Sequence, residues 1–132
     1  MVSFEQFTMA DGVPIYLQII GHIKRGVVAG SIRNGDEMPS RRVLSAMLGV
    51  NPNTVQKAYR MLEEEGLITS HAGAKSYVSA DDALTARIRA ELLEEIVRGA
   101  VTALRQMGVD RADMLELVAR LWDGADKEVE SL

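Results

Sequence analysis

The chain has no cysteine among its 132 residues, which excludes disulfides and thiolate metal sites. Its two histidines, His22 and His71, lie far apart, and no Asp/His cluster has ligand spacing, so no metal and no cofactor are expected. No apolar run approaches the roughly 20 residues that a membrane helix needs. The first residues, MVSFEQFTMADG, lack the basic-then-apolar layout of a signal peptide. These absences lead us to expect a cytoplasmic chain with no membrane partner. Paired carboxylates near a histidine, nucleophile motifs and phosphate-binding glycine loops are missing too, so an enzyme is not expected. The most informative absence is local: no acidic residue occurs between Met38 and Leu62, whereas Arg41, Arg42, Lys57 and Arg60 do.

That local absence matters more than the net charge of −4. Residues 1–80 sum to +1 and residues 81–132 to −5. Local potential rather than net charge governs attraction to phosphate, and the acid is concentrated away from the basic stretch. The length allows one compact domain and a small appendage.

The chain is organised around MPSRRVLSAMLGVNPNTVQKAY, Met38 to Tyr59. Leu44, Leu48, Val50, Val55, Ala58 and Leu62 fit two short helices packed crosswise. Gly49 stands where the first must stop, as the residue that enters positive φ without steric cost. Ser45 is small enough to let the second helix cross close by. Ser40 is positioned to cap the first helix and Asn51 the second, with Pro52 in the first turn, where its missing N–H costs nothing. A helix-turn-helix with an uncontested positive face predicts a reader of double-stranded DNA.

Around this stretch the chain reads in order. Residues 1–12 form an arm with Phe4 and Phe7 as anchors. A helix from Pro14 to about Gly30 carries Ile15, Ile19, Ile23 and Val27 on one stripe. A linker follows in which Ile32 and Met38 plug the core and Asn34-Gly35 turns. The second reading helix spans about Pro52 to Glu65 and ends at Gly66. Strands at Leu67–Ser70 and Ser76–Ser79 flank a turn at Ala72-Gly73-Ala74, making a wing. From Asp81, Leu84, Ile88, Leu92, Ile96, Ala100, Leu104 and Met107 line one face of a helix of roughly 25 residues, about 37 Å long. After Gly108, Asp110 opens a last helix bearing Met114, Val118, Leu121 and Trp122, with Leu115 widening its stripe. Two amphipathic helices alone cannot bury so broad an apolar surface, so a second subunit is the expected cover. The expected fold is mainly α with a small β-hairpin: a winged helix-turn-helix over residues 1–80 and a two-helix dimerisation tail over 81–132.

Over Pro14 to Val78 the sequence resembles the GntR family of bacterial transcription regulators. PIYLQI, Pro39-Ser40-x-Arg42-x-Leu44-Ser45, Asn53-Thr54-Val55 and Glu65-Gly66-Leu67-Ile68 carry the resemblance. The wording VNPNTVQKAY and the short tail look most like the YtrA subfamily. The resemblance implies a homodimeric winged-helix repressor, commonly of operons encoding ABC transporters, without a large ligand-binding domain. In the wing, Gly73-Ala74-Lys75-Ser76-Tyr77-Val78 stands where the family often reads Gly-x-Gly-Thr-Phe-Val. Lys75 there replaces the second glycine and offers a phosphate contact.

The resemblance makes Arg42 the base-contacting arginine at the start of the first reading helix; a guanidinium presents the fork that guanine N7 and O6 accept. Arg41 is expected to meet phosphate. Ser40, Asn51 and Thr54 sit at helix starts, where capping and phosphate binding are compatible. Asn53 and Gln56 can pair with adenine edges, and Lys57 with guanine or phosphate. Gly73 and Lys75 complete the expected DNA-binding set. Arg60 is expected in an i,i+4 pair with Glu64, Tyr59 in packing with a wet hydroxyl, and His22 on a solvated face. The expected dimer interface is Ile88, Leu92, Ile96, Leu104, Leu115, Val118 and Leu121. Lining an effector pocket is the alternative for the long helix's stripe, but few polar groups converge there, and nothing specifies a small-molecule effector. A homodimer should read an inverted-repeat operator. A winged-helix protein-interaction module is the competing reading, disfavoured by the acid-free basic face.

Overall fold

The computed structural model describes residues 1–71 and 75–130, with side chains described as far as residue 124. The chain forms two compact units, Met1–Ala90 and Glu91–Leu132. In chain order the elements are α1 (Ile15–Ala29), α2 (Arg41–Leu48), α3 (Pro52–Glu64), β1 (Ile68–Ser70), β2 (Ser76–Val78), α4 (Asp82–Gln106) and α5 (Arg111–Glu130).

The first unit is built on α3. Both α1 and α2 pack against it, and β1 follows from its end. The four-residue spacing in α1 has the predicted effect: Ile19, Ile23 and Val27 are buried, joined by Ile20, while Ile15 stays half-buried at the helix start. Buried with them are Leu44 of α2 and Val55, Tyr59 and Leu62 of α3, all at 1% exposure or less. A fully buried side chain of this size contributes roughly 1.5–3 kcal/mol. Ile32 and Met38 are buried as predicted, at 7% and 2%. Gly26 has a role invisible in the sequence. A Cβ there would lie 2.4 Å from Ile32 Cδ1, so the linker packs directly on the backbone of α1.

The hairpin pairs Ile68 with Val78, Thr69 with Tyr77 and Ser70 with Ser76, antiparallel. The linker also joins the hairpin. Glu37 bridges Tyr77, Met38 N–H donates to the Ser76 carbonyl at 2.9 Å, and Val78 N–H donates to the Asp36 carbonyl at 2.8 Å. The arm adds a further rung, with Val2 N–H donating to the Glu37 carbonyl at 2.8 Å. The outer backbone of β2 is therefore paired rather than left as an open edge.

The arm also changes the reading of His22. Its ring lies 4.6 Å from that of Phe4 and 5.5 Å from that of Phe7, and Nε2 is 2.8 Å from the Ser3 carbonyl oxygen. The arm folds back over α1, so His22 is half-buried rather than fully solvated, and of the two expected anchors Phe4 is buried, at 4% exposure, and Phe7 half-buried.

The Asp81 carboxylate accepts from Leu84 N–H at 2.8 Å and starts α4. Ile88 is 1% exposed and belongs to the first unit, which therefore runs on to Ala90. A side chain already covered by its own chain has no surface to give a partner, so Ile88 leaves the expected interface set.

The second unit is organised differently. Gly108, at φ 74°, breaks the chain between α4 and α5, and Val109 N–H closes the turn onto the Leu104 carbonyl at 3.1 Å. From Glu91 to Gly124 no described side chain is fully buried. Leu92 and Leu104 are half-buried, whereas Ile96, Leu115, Val118 and Leu121 are exposed, as is Trp122.

Candidate nucleic-acid interface

The geometry begins with two helix starts set side by side. The Ser40 hydroxyl accepts from Val43 N–H at 3.1 Å, and the Asn51 side-chain oxygen accepts from Asn53 N–H at 2.8 Å. Both caps are those expected from the sequence. Gly49 turns the chain between the helices at φ 66°. Ser45 does more than its size suggests: its buried hydroxyl donates to the Val50 carbonyl at 2.7 Å, tying α2 to the residues that open α3.

The two starts flank a shallow depression of about 540 Å³ lined by Arg41, Arg42, Ser45, Ala46, Pro52, Asn53 and Gln56. Four of the expected DNA-binding residues thus meet at one surface. Arg42, Asn53 and Gln56 are exposed, and among the described residues Arg42 enters no ion pair. Thr54 is half-buried beside the cap of α3. Lys57 is exposed on the same helix, its Nζ 4.0 Å from the centroid of the Tyr16 ring, a cation–π contact that restrains a flexible stem.

The acids of this unit are answered where they approach the basic face. Lys24 Nζ stands 3.0 Å from the Glu65 carboxylate, and Arg41 Nη2 stands 3.4 Å from Glu63 Oε1. Both acids belong to the C-terminal end of α3, Glu63 touches the rim of the depression only through Arg41, and among the described residues no acid lines the start of the helix, with its positive dipole end. Arg41 is therefore engaged internally, in contrast to Arg42. Arg60 forms no pair with Glu64 among the described residues, against the i,i+4 expectation.

Tyr59 departs from its expected wet hydroxyl. The side chain is 1% exposed, and its hydroxyl donates to the Pro39 carbonyl at 2.5 Å. Burial pushes the phenol's pKa well above its ordinary value, and the nearby Arg41 charge only partly opposes this. The bond fixes the segment leading to the Ser40 cap. Sequence alone could not place it, because the acceptor is a backbone atom twenty residues away.

On the wing, Lys75 is well exposed at 67% and pairs loosely with Glu37 at 3.7 Å. His71 stacks edge-on to Tyr77 at 5.2 Å, which ties its ring to the hairpin. Gly73, also in the expected set, lies outside the described residues. Among the described residues no cluster of His, Asp or Glu is arranged to hold a metal, and no helix is long and apolar enough to cross a membrane.

Comparison with known proteins places this arrangement. Residues 15–78 match the family model described as bacterial regulatory proteins, gntR family. The chain is 31% identical over 118 residues to the HTH-type transcriptional repressor YtrA of Bacillus subtilis, covering 88% of this chain and 90% of that one. It is 29% identical over 111 residues to the uncharacterized HTH-type transcriptional regulator YhcF of the same organism, covering 84% and 92%. A solved GntR family transcriptional regulator from Listeria monocytogenes superposes with a TM-score of 0.76 at 28% identity, covering 85% of this chain and 98% of that one.

Proposed function

The chain belongs to the GntR family of bacterial DNA-binding transcription regulators, and on that premise we propose that it acts as a homodimeric repressor of a transporter-type operon. The observation that carries the reading is the depression between the starts of α2 and α3, where, among the described residues, Arg42 enters no ion pair and stands beside Asn53 and Gln56 with no acid in the lining. In this reading α3 enters the major groove. Arg42, Asn53 and Gln56 address base edges, and Lys57 reaches guanine or phosphate. Ser40, Asn51 and Thr54 bring the helix starts to phosphates, and Lys75 with Gly73 carries the wing to the backbone.

Residues 1–80 supply the reading surface and residues 81–132 the dimer contact, with the first turns of α4 closing the core of the reading unit. The exposed Ile96, Leu115, Val118 and Leu121, flanked by the half-buried Leu92 and Leu104, support that assignment, because water-facing apolar stripes on two successive helices call for a cover. A two-fold dimer presents two α3 helices to one face of a duplex. The operator is then an inverted repeat with half-sites about one helical turn apart, or a multiple of that. The site of action is the cytoplasm, where the operon lies.

The test is a titration of the DNA upstream of the chain's own gene, alongside a shuffled duplex of equal length. Tight binding to the first, abolished by scrambling an inverted repeat, supports the reading. Equal binding to both duplexes contradicts sequence-specific repression.

A further inference from the structure

Arg41 and Arg42 are neighbours at the start of α2, yet their surroundings differ. Arg42 is exposed and enters no ion pair among the described residues. Arg41 lies over the Tyr59 ring, its guanidinium carbon 5.1 Å from the centroid, and reaches Glu63 Oε1 at 3.4 Å. Its Nε–H is buried with no hydrogen-bond partner among the described residues. A guanidinium that leaves one N–H bare rather than swinging into water is held by its other contacts, here the ring face and the carboxylate.

The same carboxylate oxygen accepts a hydrogen bond from the Ser70 hydroxyl on β1. With its one proton spent there, the Ser70 oxygen accepts from the hydroxyl of Ser76 on β2, 3.1 Å away. One carboxylate thus joins the first residue of α2, the last turn of α3 and both strands of the wing. Exposure separates Arg41 from Lys75, the cation on the wing. Lys75 is 67% exposed and exchanges its carboxylate for another anion at little cost, whereas the Arg41 and Glu63 side chains are 29% and 34% exposed.

We infer that Glu63 is a positioning residue that withholds Arg41 from the DNA backbone while anchoring the wing beside α2. The inference rests on the DNA-reading proposed above and adds an internal limit to its sequence-independent affinity. A phosphate contact from Arg41 would strengthen binding to every sequence alike. Glu63 occupies that cation with a charge from the chain itself, so Arg42 and Lys75 meet DNA and Arg41 does not.

The test is the salt dependence of binding to a random-sequence duplex and to the duplex upstream of the chain's own gene. Each phosphate neutralised by a cation adds about 0.9 to the slope of log affinity against log salt. Arg41→Ala in the otherwise natural chain leaves the slope unchanged. Glu63→Gln keeps an oxygen for Ser70 but removes the charge. It steepens the slope by about 0.9 per bound chain and tightens binding to the random duplex. Adding Arg41→Ala to Glu63→Gln returns the slope to its natural value, which a purely structural role for Glu63 does not explain. A flatter slope in the Arg41→Ala chain overturns the inference while leaving the DNA reading intact, and this arm stands even if Glu63→Gln fails to fold. An unchanged slope in a folded Glu63→Gln chain overturns it equally. Absence of binding to either duplex by the natural chain overturns the DNA reading, and this inference with it.

Discussion

The stripe of α1 and the stripe of the distal part of α4 are written in the same alphabet but meet different fates. In α1, Ile19, Ile23 and Val27 are spaced by four and sit at 0–5% exposure under α3. In α4, Leu92 and Ile96 continue the same spacing, yet Leu92 is half-buried and Ile96 is 66% exposed. Ile88, one step earlier on that stripe, is buried within the first unit. Periodicity identifies which face of a helix needs cover; it does not say whether the cover comes from the same chain. Where a single chain leaves a long apolar stripe in water, the stripe is evidence about a partner.

The sharpest way to break this comparison is to remove one side of it. A fragment ending at Ala90 keeps Ile88 and the whole core of the first unit, so it is expected to fold. On a duplex with two half-sites it should bind about 10²–10⁴-fold more weakly than the full chain, because the second reading surface is no longer tethered. Equal affinities in a parallel titration would remove the tail from the account of binding. Leu62→Ala attacks the other side: Leu62 is fully buried, and its truncation should cost about 2–5 kcal/mol in a denaturant melt. Arg42→Ala touches neither core nor tail. It should weaken operator binding by about 1–3 kcal/mol and relax preference at one base position per half-site, as a panel of single-base operator variants would show. Lys75→Ala should have the smallest effect, lowering affinity evenly across sequences and flattening the salt slope by about 0.9 per bound chain.

The elements of the reading surface were legible because their signals are local. Ser40, Gly49, Asn51 and Pro52 act within a turn of where they stand, and the caps and the left-handed glycine appear at those positions. Ile32 and Met38 were likewise legible as core, since an apolar side chain in a short polar linker has little else to do. What the sequence hid depends on distant parts of the chain meeting. The paired outer backbone of β2 needs the linker and the arm to return to the hairpin. The partial cover of His22 depends on the arm folding back, and the need for glycine at residue 26 depends on Ile32 lying against it. Arg41 is the instructive case: identical in type to its neighbour and in the same motif, it differs through Glu63, which stands twenty-two residues further on.

A second copy of the chain is expected to cover the stripe on the second unit. Sedimentation equilibrium tests it directly, on the natural chain and on a chain carrying Ile96→Asp and Leu121→Asp, two exposed positions that lie outside the core of the first unit. The natural chain should sediment as a dimer. The doubly substituted chain should sediment as a monomer whose first unit melts as before. A natural chain that sediments as a monomer, or a substituted chain that remains a dimer, would contradict that assignment.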